Sequence, residues 1–235
     1  MTRRDRSQEP NQAVRDQQGS PSRLSAPFGA RVTTAPWRRS RTAASAASEP
    51  AISVASEAPH HGGVTGPQPG VPAPDRADRL PRWSPAWSAT IWWLGVHGGA
   101  GESSLTALAA GSQPARHAWP IPALPGTFNR VALVARTSWT GLTAAQHAAT
   151  EWASGSLGAG LELAGLVLIA DAPGRLPKPL QDLQAVIAGG VPRVWSLPWV
   201  ETWRLGPPTI QGQGARSFRD LLTDLDLTPS GSAQN

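Results

Sequence analysis

The chain is 235 residues long with 21 Lys+Arg against 16 Asp+Glu, and its 24 glycines and 24 prolines make up about a fifth of it, above the ~12% of ordinary globular domains. The absence of cysteine excludes a disulfide framework, a thiolate metal site and a cysteine nucleophile. Tyrosine is absent too and Lys178 is the single lysine, so the isoelectric point near 11.3 reflects a lack of groups that titrate between neutrality and arginine, not a nucleic-acid-binding composition.

The charge is unevenly placed. Through Ala86 twelve arginines face seven acids, net +5, whereas from Trp87 onward eight arginines and Lys178 balance nine acids. Residues 1–86 are rich in Arg, Ser, Ala, Pro and Gln and show neither a helical nor a strand period, so they are expected to form a disordered basic arm. Such an arm could touch nucleic acid or an acidic partner through charge alone. Its opening MTRRDRSQEP lacks the apolar stretch of a secretion signal, and Arg38-Arg39 leads into small polar residues. No run approaches the ~18 apolar residues of a membrane span, so a cytoplasmic protein without a transmembrane segment is expected.

From Trp87 short apolar runs alternate with segments of helical spacing, which predicts one compact domain over residues 87–227 and a disordered tail over 228–235. Residues 90–96 (TIWWLGV) read as a buried strand, followed by the glycine-rich HGGAGE and a helix over 103–110. Residues 130–136 (RVALVAR), 163–170 (LAGLVLIA) and 191–197 (VPRVWSL) give three further strands. Helices are predicted over 142–153 and 179–188, and Phe218, Leu221, Leu222 and Leu225 mark an amphipathic closing helix. Strands apolar on both faces and separated by helices imply an α/β fold in three layers, with a mostly parallel sheet covered by helices on both sides. Ligands of such sheets bind beyond the carboxyl ends of the strands, which selects residues 97–104, 136–140, 171–174 and 198–203.

Gly98, Gly99 and Gly101 lie between a strand and a helix whose first turn carries Ser103 and Ser104. Such a loop can present backbone N–H groups to an anion, although a tight strand-to-helix connection by itself also calls for glycine. The string VHGGAGESSL resembles the deviant Walker A motif, approximately GKGGVGKTTL, of the ParA/MinD family of P-loop ATPases. Downstream, LVLIADAPG resembles that family's strand ending in a Mg²⁺- and water-coordinating acid, and Leu197-Pro198-Trp199 is similar to its Pro-containing loop. The resemblance implies a P-loop NTPase-like fold, a site for ATP and Mg²⁺, homodimers formed over nucleotide, and work in plasmid partition, chromosome positioning or conjugation. It assigns Gly98, Gly99, Gly101, Glu102, Ser103 and Ser104 to the nucleotide loop and Ser103 with Asp171 to the metal.

Both motif lysines are missing. His97 stands in place of the signature lysine and Glu102 in place of the lysine that reaches the β- and γ-phosphates. A carboxylate in the first turn of a helix suits the macrodipole but repels a triphosphate. The expectation is a non-catalytic adaptor with a protein partner, without a cofactor, in which Glu102 supplies the anion the loop was built to hold; a nucleotide-binding or weakly hydrolysing ATPase is the alternative. A lipase-like hydrolase would use His97-Gly-Gly as an oxyanion loop, but no G-x-S-x-G elbow is present. A dinucleotide fingerprint fails at its third small position. His60, His61, His97, His117 and His147 show no metal-ligand spacing, and His147, on an Ala-rich helix, reads as a surface or packing residue without a nearby acid at ligand spacing. Arg136 and Thr137 could face the same cleft as the loop, Arg136 offering a cation where the lysines are lost, or Arg136 could be an ordinary edge arginine. Trp195, Trp199 and Trp203 are spaced by four, but Pro198 among them favours strand and loop over helix. Most tryptophans are expected in the core, and any left at the surface would mark a partner interface.

Overall fold

The computed structural model describes residues 64–212 and 214–231, all within the compact unit Ala55–Asn235. The disorder expected of residues 1–63 and 232–235 lies outside the described residues. In chain order a 3₁₀ turn (Arg76–Asp78) precedes β1 (Arg82–Trp83), β2 (Ile91–Gly95), α1 (Glu102–Leu108), β3 (Ser112–Pro114), β4 (Trp119–Pro120) and β5 (Asn129–Arg136). Then follow α2 (Trp139–Ala153), β6 (Leu161–Ile169), α3 (Lys178–Ala188), β7 (Val194–Leu197), α4 (Thr202–Leu205) and α5 (Ala215–Asp224).

Five strands form a wholly parallel sheet in the order β3-β2-β5-β6-β7. Successive side chains of a strand point to opposite faces, and both faces here are apolar. Trp92, Leu94, Val131, Leu133, Leu166 and Leu168 pack towards α2 and α3, while Ile91, Trp93, Val134, Val167 and Ile169 pack towards α1 and α5. The α/β class, the parallel sheet and its two helical layers thus agree with the sequence pattern. Ordered by sequence, the strands run 2-1-3-4-5, so the chain leaves β2 to one side and returns on the other. The topological switch point, where doubly wound sheets hold their ligands, falls between β2 and β5.

Three short strands, the 3₁₀ turn and the short helix α4 were not predicted. β3 is three residues of modest hydrophobicity ending in Pro114, a composition tolerated at a sheet edge, where one side needs no ladder partner. β1 and β4 form a separate two-residue parallel pair, Arg82 opposite Trp119 and Trp83 opposite Pro120.

Ordered structure also reaches back past the boundary expected at Trp87. Residues 64–86 form a strap across α2, with Gln68 N–H donating to Ala153 O at 2.8 Å, Trp119 N–H to Pro81 O at 2.8 Å and Ile121 N–H to Trp83 O at 2.8 Å. Val64, Val71, Leu80 and Trp83 are too sparse to signal a core in sequence, yet each rests on the α2 side of the sheet. At the other end, residues 228–231 are not a free tail. Ala110 N–H donates to Thr228 O and Ser230 N–H to Leu108 O, so this segment closes the end of α1.

Among the described residues no helix is long and apolar enough to cross a membrane. Pro198 does break the tryptophan series: Trp195 lies in β7, Trp199 in the following loop and Trp203 in α4, where it packs on Phe218 at 4.8 Å between ring centroids. His147 has an acid beside it after all, because the strap carries Asp78 Oδ1 to within 3.6 Å of its Nδ1.

Candidate functional site: the glycine loop at the switch point

The loop from His97 to Gly101 leaves the carboxyl end of β2 and enters α1, beside the end of β5. Gly98 and Gly99 are exposed, and the space where a side chain would begin is open at both. Gly101 precedes the first helical residue at φ +109°, and a Cβ there would lie 2.5 Å from Ile169 Cδ1. Glycine at this position therefore serves both the left-handed turn and the close seating of the loop over β6. Gly101→Val is expected to lower stability by at least the ~1–2 kcal/mol cost of a left-handed L-residue, with further loss from crowding Ile169. A urea unfolding midpoint equal to wild type would contradict this.

Three polar side chains surround the loop, and each is engaged by the chain itself. His97 Nε2 accepts the backbone N–H of Arg136 at 3.1 Å, so its proton sits on Nδ1, which donates to Gly98 O at 2.8 Å. Arg136 donates Nε–H to Gly99 O at 3.2 Å and Nη1–H to Ala170 O at 3.1 Å, tying the glycine loop to the end of β6. Burial pulls its guanidinium below the ordinary arginine value, and the nearby Asp171 carboxylate pulls the other way. Arg136 is thus neither an ordinary edge residue nor an unengaged cation; it is a clamp between two carboxyl-edge loops.

Glu102 is the third. Its carboxylate is almost fully buried and turned away from the loop, accepting Arg116 N–H at Oε1 (2.6 Å) and facing His117 Nε2 with Oε2 at 3.6 Å. His117 in turn donates Nδ1–H to Gly95 O at 2.7 Å. The expectation that Glu102 fills the cradle with its own anion is therefore corrected: its acceptors are spent on the turn after β3. The N–H groups of Gly98, Gly99 and Gly101 find no acceptor among the described residues.

Ser103 is exposed on the first turn of α1, with Ser104 beside it half-buried. Asp171 is exposed at the end of β6, its own N–H donating to Thr137 Oγ1 at 3.1 Å. β5 stands between the strand that carries the loop and the strand that carries Asp171. Beyond Asp171 a cleft of about 360 Å³ opens under the loop that follows β6, lined by Thr137, Ser138, Arg175, Leu176 and Gln184 among others.

Sequence reasoning missed Gly141. It lies in the first turn of α2, where a Cβ would stand 2.3 Å from Arg136 O and 2.9 Å from His97 Nε2. A glycine three residues after a serine N-cap was the available signal, since Ser138 Oγ accepts its N–H at 3.2 Å.

Fold and site together define a doubly wound parallel α/β domain with a glycine-rich loop at its switch point. The chain belongs to a family of unknown function (DUF6668), whose model matches residues 89–219. No curated protein and no solved structure matches it.

Proposed function

We propose that this protein is a non-catalytic adaptor built on a degenerate phosphate-loop domain, similar to the ParA/MinD ATPases in its loop and in the acid at the end of β6. The observation that carries this reading is the internal use of every charged or titratable side chain at the loop: Arg136 on Gly99 O and Ala170 O, His97 on Arg136 N–H, and Glu102 on Arg116 N–H. A phosphate loop needs a free cation at the transferring phosphate, and here the nearest one already joins two carbonyls. In this reading the domain acts in the cytoplasm through a protein partner, as a monomer or homodimer, in plasmid partition or conjugation, and the basic arm adds a weak contact to nucleic acid.

The second reading, a nucleotide-binding or weakly hydrolysing ATPase, has one observation in its favour. The amides of Gly98, Gly99 and Gly101 are unclaimed among the described residues and the first two face open space. There Ser103 and Asp171 would hold Mg²⁺ and the loop a triphosphate.

Titration calorimetry with ATP and Mg²⁺ separates the two. The adaptor reading expects no saturable heat at millimolar nucleotide and no rise in melting temperature. Micromolar affinity, with a thermal shift abolished by Gly101→Val, would instead establish the second reading.

A further inference from the structure

Three arginines of the strap, Arg76, Arg79 and Arg82, line one open groove of about 540 Å³ together with Leu80, Pro81 and Glu151. Glu151 is the one acid of that lining, and both its oxygens are engaged, Oε1 by Arg82 Nη2 and Oε2 by the Trp119 indole and the Leu80 N–H. Asp75 and Asp78 belong to the same turn as Arg76 but do not line the groove, and Asp78 stands 3.6 Å from His147 Nδ1. A guanidinium donates from every nitrogen and accepts nothing, so the side chains of the groove offer an incoming group donors and positive charge, with no open acceptor. Two of the three forks are held in place from behind. Arg79 donates Nε–H to Pro74 O at 2.7 Å, and Arg82, its side chain 42% exposed, is anchored to Glu151 through Nη2 at 3.1 Å. Their remaining N–H groups are left to face the groove, and a side chain already anchored loses less freedom on meeting an anion.

We propose that this groove binds the phosphate backbone of a single-stranded nucleic acid, with Trp87 as a stacking platform for a base. The proposal rests on the nucleic-acid contact given above to the basic arm, and assigns that contact a site in the folded domain. Spacing selects a chain of charges over a compact one. Arg76 and Arg79 are joined by the 3₁₀ turn, about 6 Å apart at ~2 Å per residue. The backbone is extended from Arg79 into β1, which carries Arg82 about 10 Å further at ~3.3 Å per residue. The arginines therefore form a row, of which a triphosphate reaches only part and a polynucleotide the whole. Each fork matches a phosphate bidentately, and in a polynucleotide the phosphate recurs along the strand. Residues 1–63 add nine arginines against five acids, so a long polyanion meets further positive charge on the same chain.

An exposed aromatic surface with its own cation separates a nucleic acid from an acidic peptide. Trp87, five residues past Arg82, is 47% exposed, and the Arg116 guanidinium lies 5.7 Å from its ring and 5.4 Å from the ring of Trp83. The two indoles are 5.9 Å apart, edge to face, so Trp83 steadies the platform from behind. An open indole beside an arginine is the arrangement on which a base stacks while its phosphate is held, and it tolerates any base because every base has a π-face. A carboxylate-rich peptide would satisfy the arginines but leave the indole uncovered.

The test is fluorescence anisotropy of a labelled oligothymidylate titrated with the full chain, beside poly-glutamate as competitor. Saturable binding that weakens as salt rises is expected. Arg76→Ala and Arg79→Ala should each weaken it about tenfold, the usual effect of losing a hydrogen bond to a charged group. Trp87→Ala should cost about as much through lost stacking. Arg82→Lys, which keeps a cation for Glu151 but not the fork, should cost several-fold, and Arg216→Ala, a 92% exposed arginine on α5, should leave the affinity unchanged. Urea midpoints equal to wild type show that each variant is folded, and Trp87→Leu, which keeps apolar bulk without a ring, replaces Trp87→Ala if that variant unfolds. Absence of binding, equal competition by poly-glutamate, or an affinity as sensitive to Arg216→Ala as to the strap substitutions overturns the proposal. A loss confined to Arg38→Gln with Arg39→Gln leaves the contact to the arm and overturns the folded site. A loss confined to the strap variants upholds the site and removes the arm from the contact. Displacement by millimolar ATP, with binding lost in Gly101→Val, would place the ligand at the glycine loop and overturn the groove. An affinity that survives removal of the Trp87 ring overturns the stacking role and with it the choice of a single strand.

Discussion

Glu151→Ala is expected to destabilise the domain by on the order of 2–5 kcal/mol, because it strips the acceptor from two internal donors at about 1–3 kcal/mol each. Glu151 is fully buried on α2, where its Oε2 accepts the Trp119 indole N–H at 2.8 Å and the Leu80 backbone N–H at 3.3 Å. Its Oε1 meets Arg82 Nη2 at 3.1 Å, the arginine being partly in solvent. The carboxylate therefore fastens the strap to the domain, and its loss should expose Arg76, Arg79 and Arg82 to cleavage. Trypsin digestion under native conditions, with chemical unfolding alongside, reads both consequences. Glu151→Gln keeps one carbonyl oxygen and should fall between wild type and alanine. Unchanged stability together with an intact strap in Glu151→Ala would show that Glu151 fastens nothing.

Gly141→Ala is expected to reverse its usual sign. In an exposed helix interior this change stabilises by about 0.8–1 kcal/mol, since alanine loses less backbone entropy than glycine. Here the added Cβ meets the Arg136 carbonyl at 2.3 Å, a backbone atom that cannot rotate aside, as well as the His97 ring. Either α2 moves off the end of β5 or the His97 bond to Arg136 N–H breaks. Overpacking of this kind costs about 1–3 kcal/mol, which outweighs the propensity gain. A lower urea midpoint and a shifted His97 imidazole resonance are the expected signs, and a rise in stability would refute the close approach.

These two residues also show how far the sequence could be read. Runs such as IWWLGV (91–96) and VALVA (131–135) are apolar at every position, so burial on both faces follows wherever the neighbours lie, and the four main strands were legible from them. The closing helix was legible for the same reason, its Phe218, Leu221 and Leu222 being buried on one face. The glycine loop was readable as a strand-to-helix turn. What surrounds it was not: Glu102 read as an acid facing the loop, whereas its partners are Arg116 and His117 on the far side of β3. Glu151 gave no signal at all, since an acid in an Ala-rich helix reads as solvent-facing, and its ligands come from the strap and β4.

The sequence by itself determined where the charge lies, which runs must be buried, and that a glycine-rich turn follows the first long strand, because these depend on composition and local period. Only the tertiary structure decided the edge strand β3, the strap, and the partners of every polar group at the loop. Those partnerships join residues far apart in the chain, Arg82 with Glu151 across 69 positions and Arg136 with His97 across 39, and the direction of a buried carboxylate or guanidinium is set by whichever donor or acceptor the fold brings within reach. The glycine-rich turn was plain in the sequence, but that the polar groups around it turn inward to brace the fold was visible only once their partners were in place.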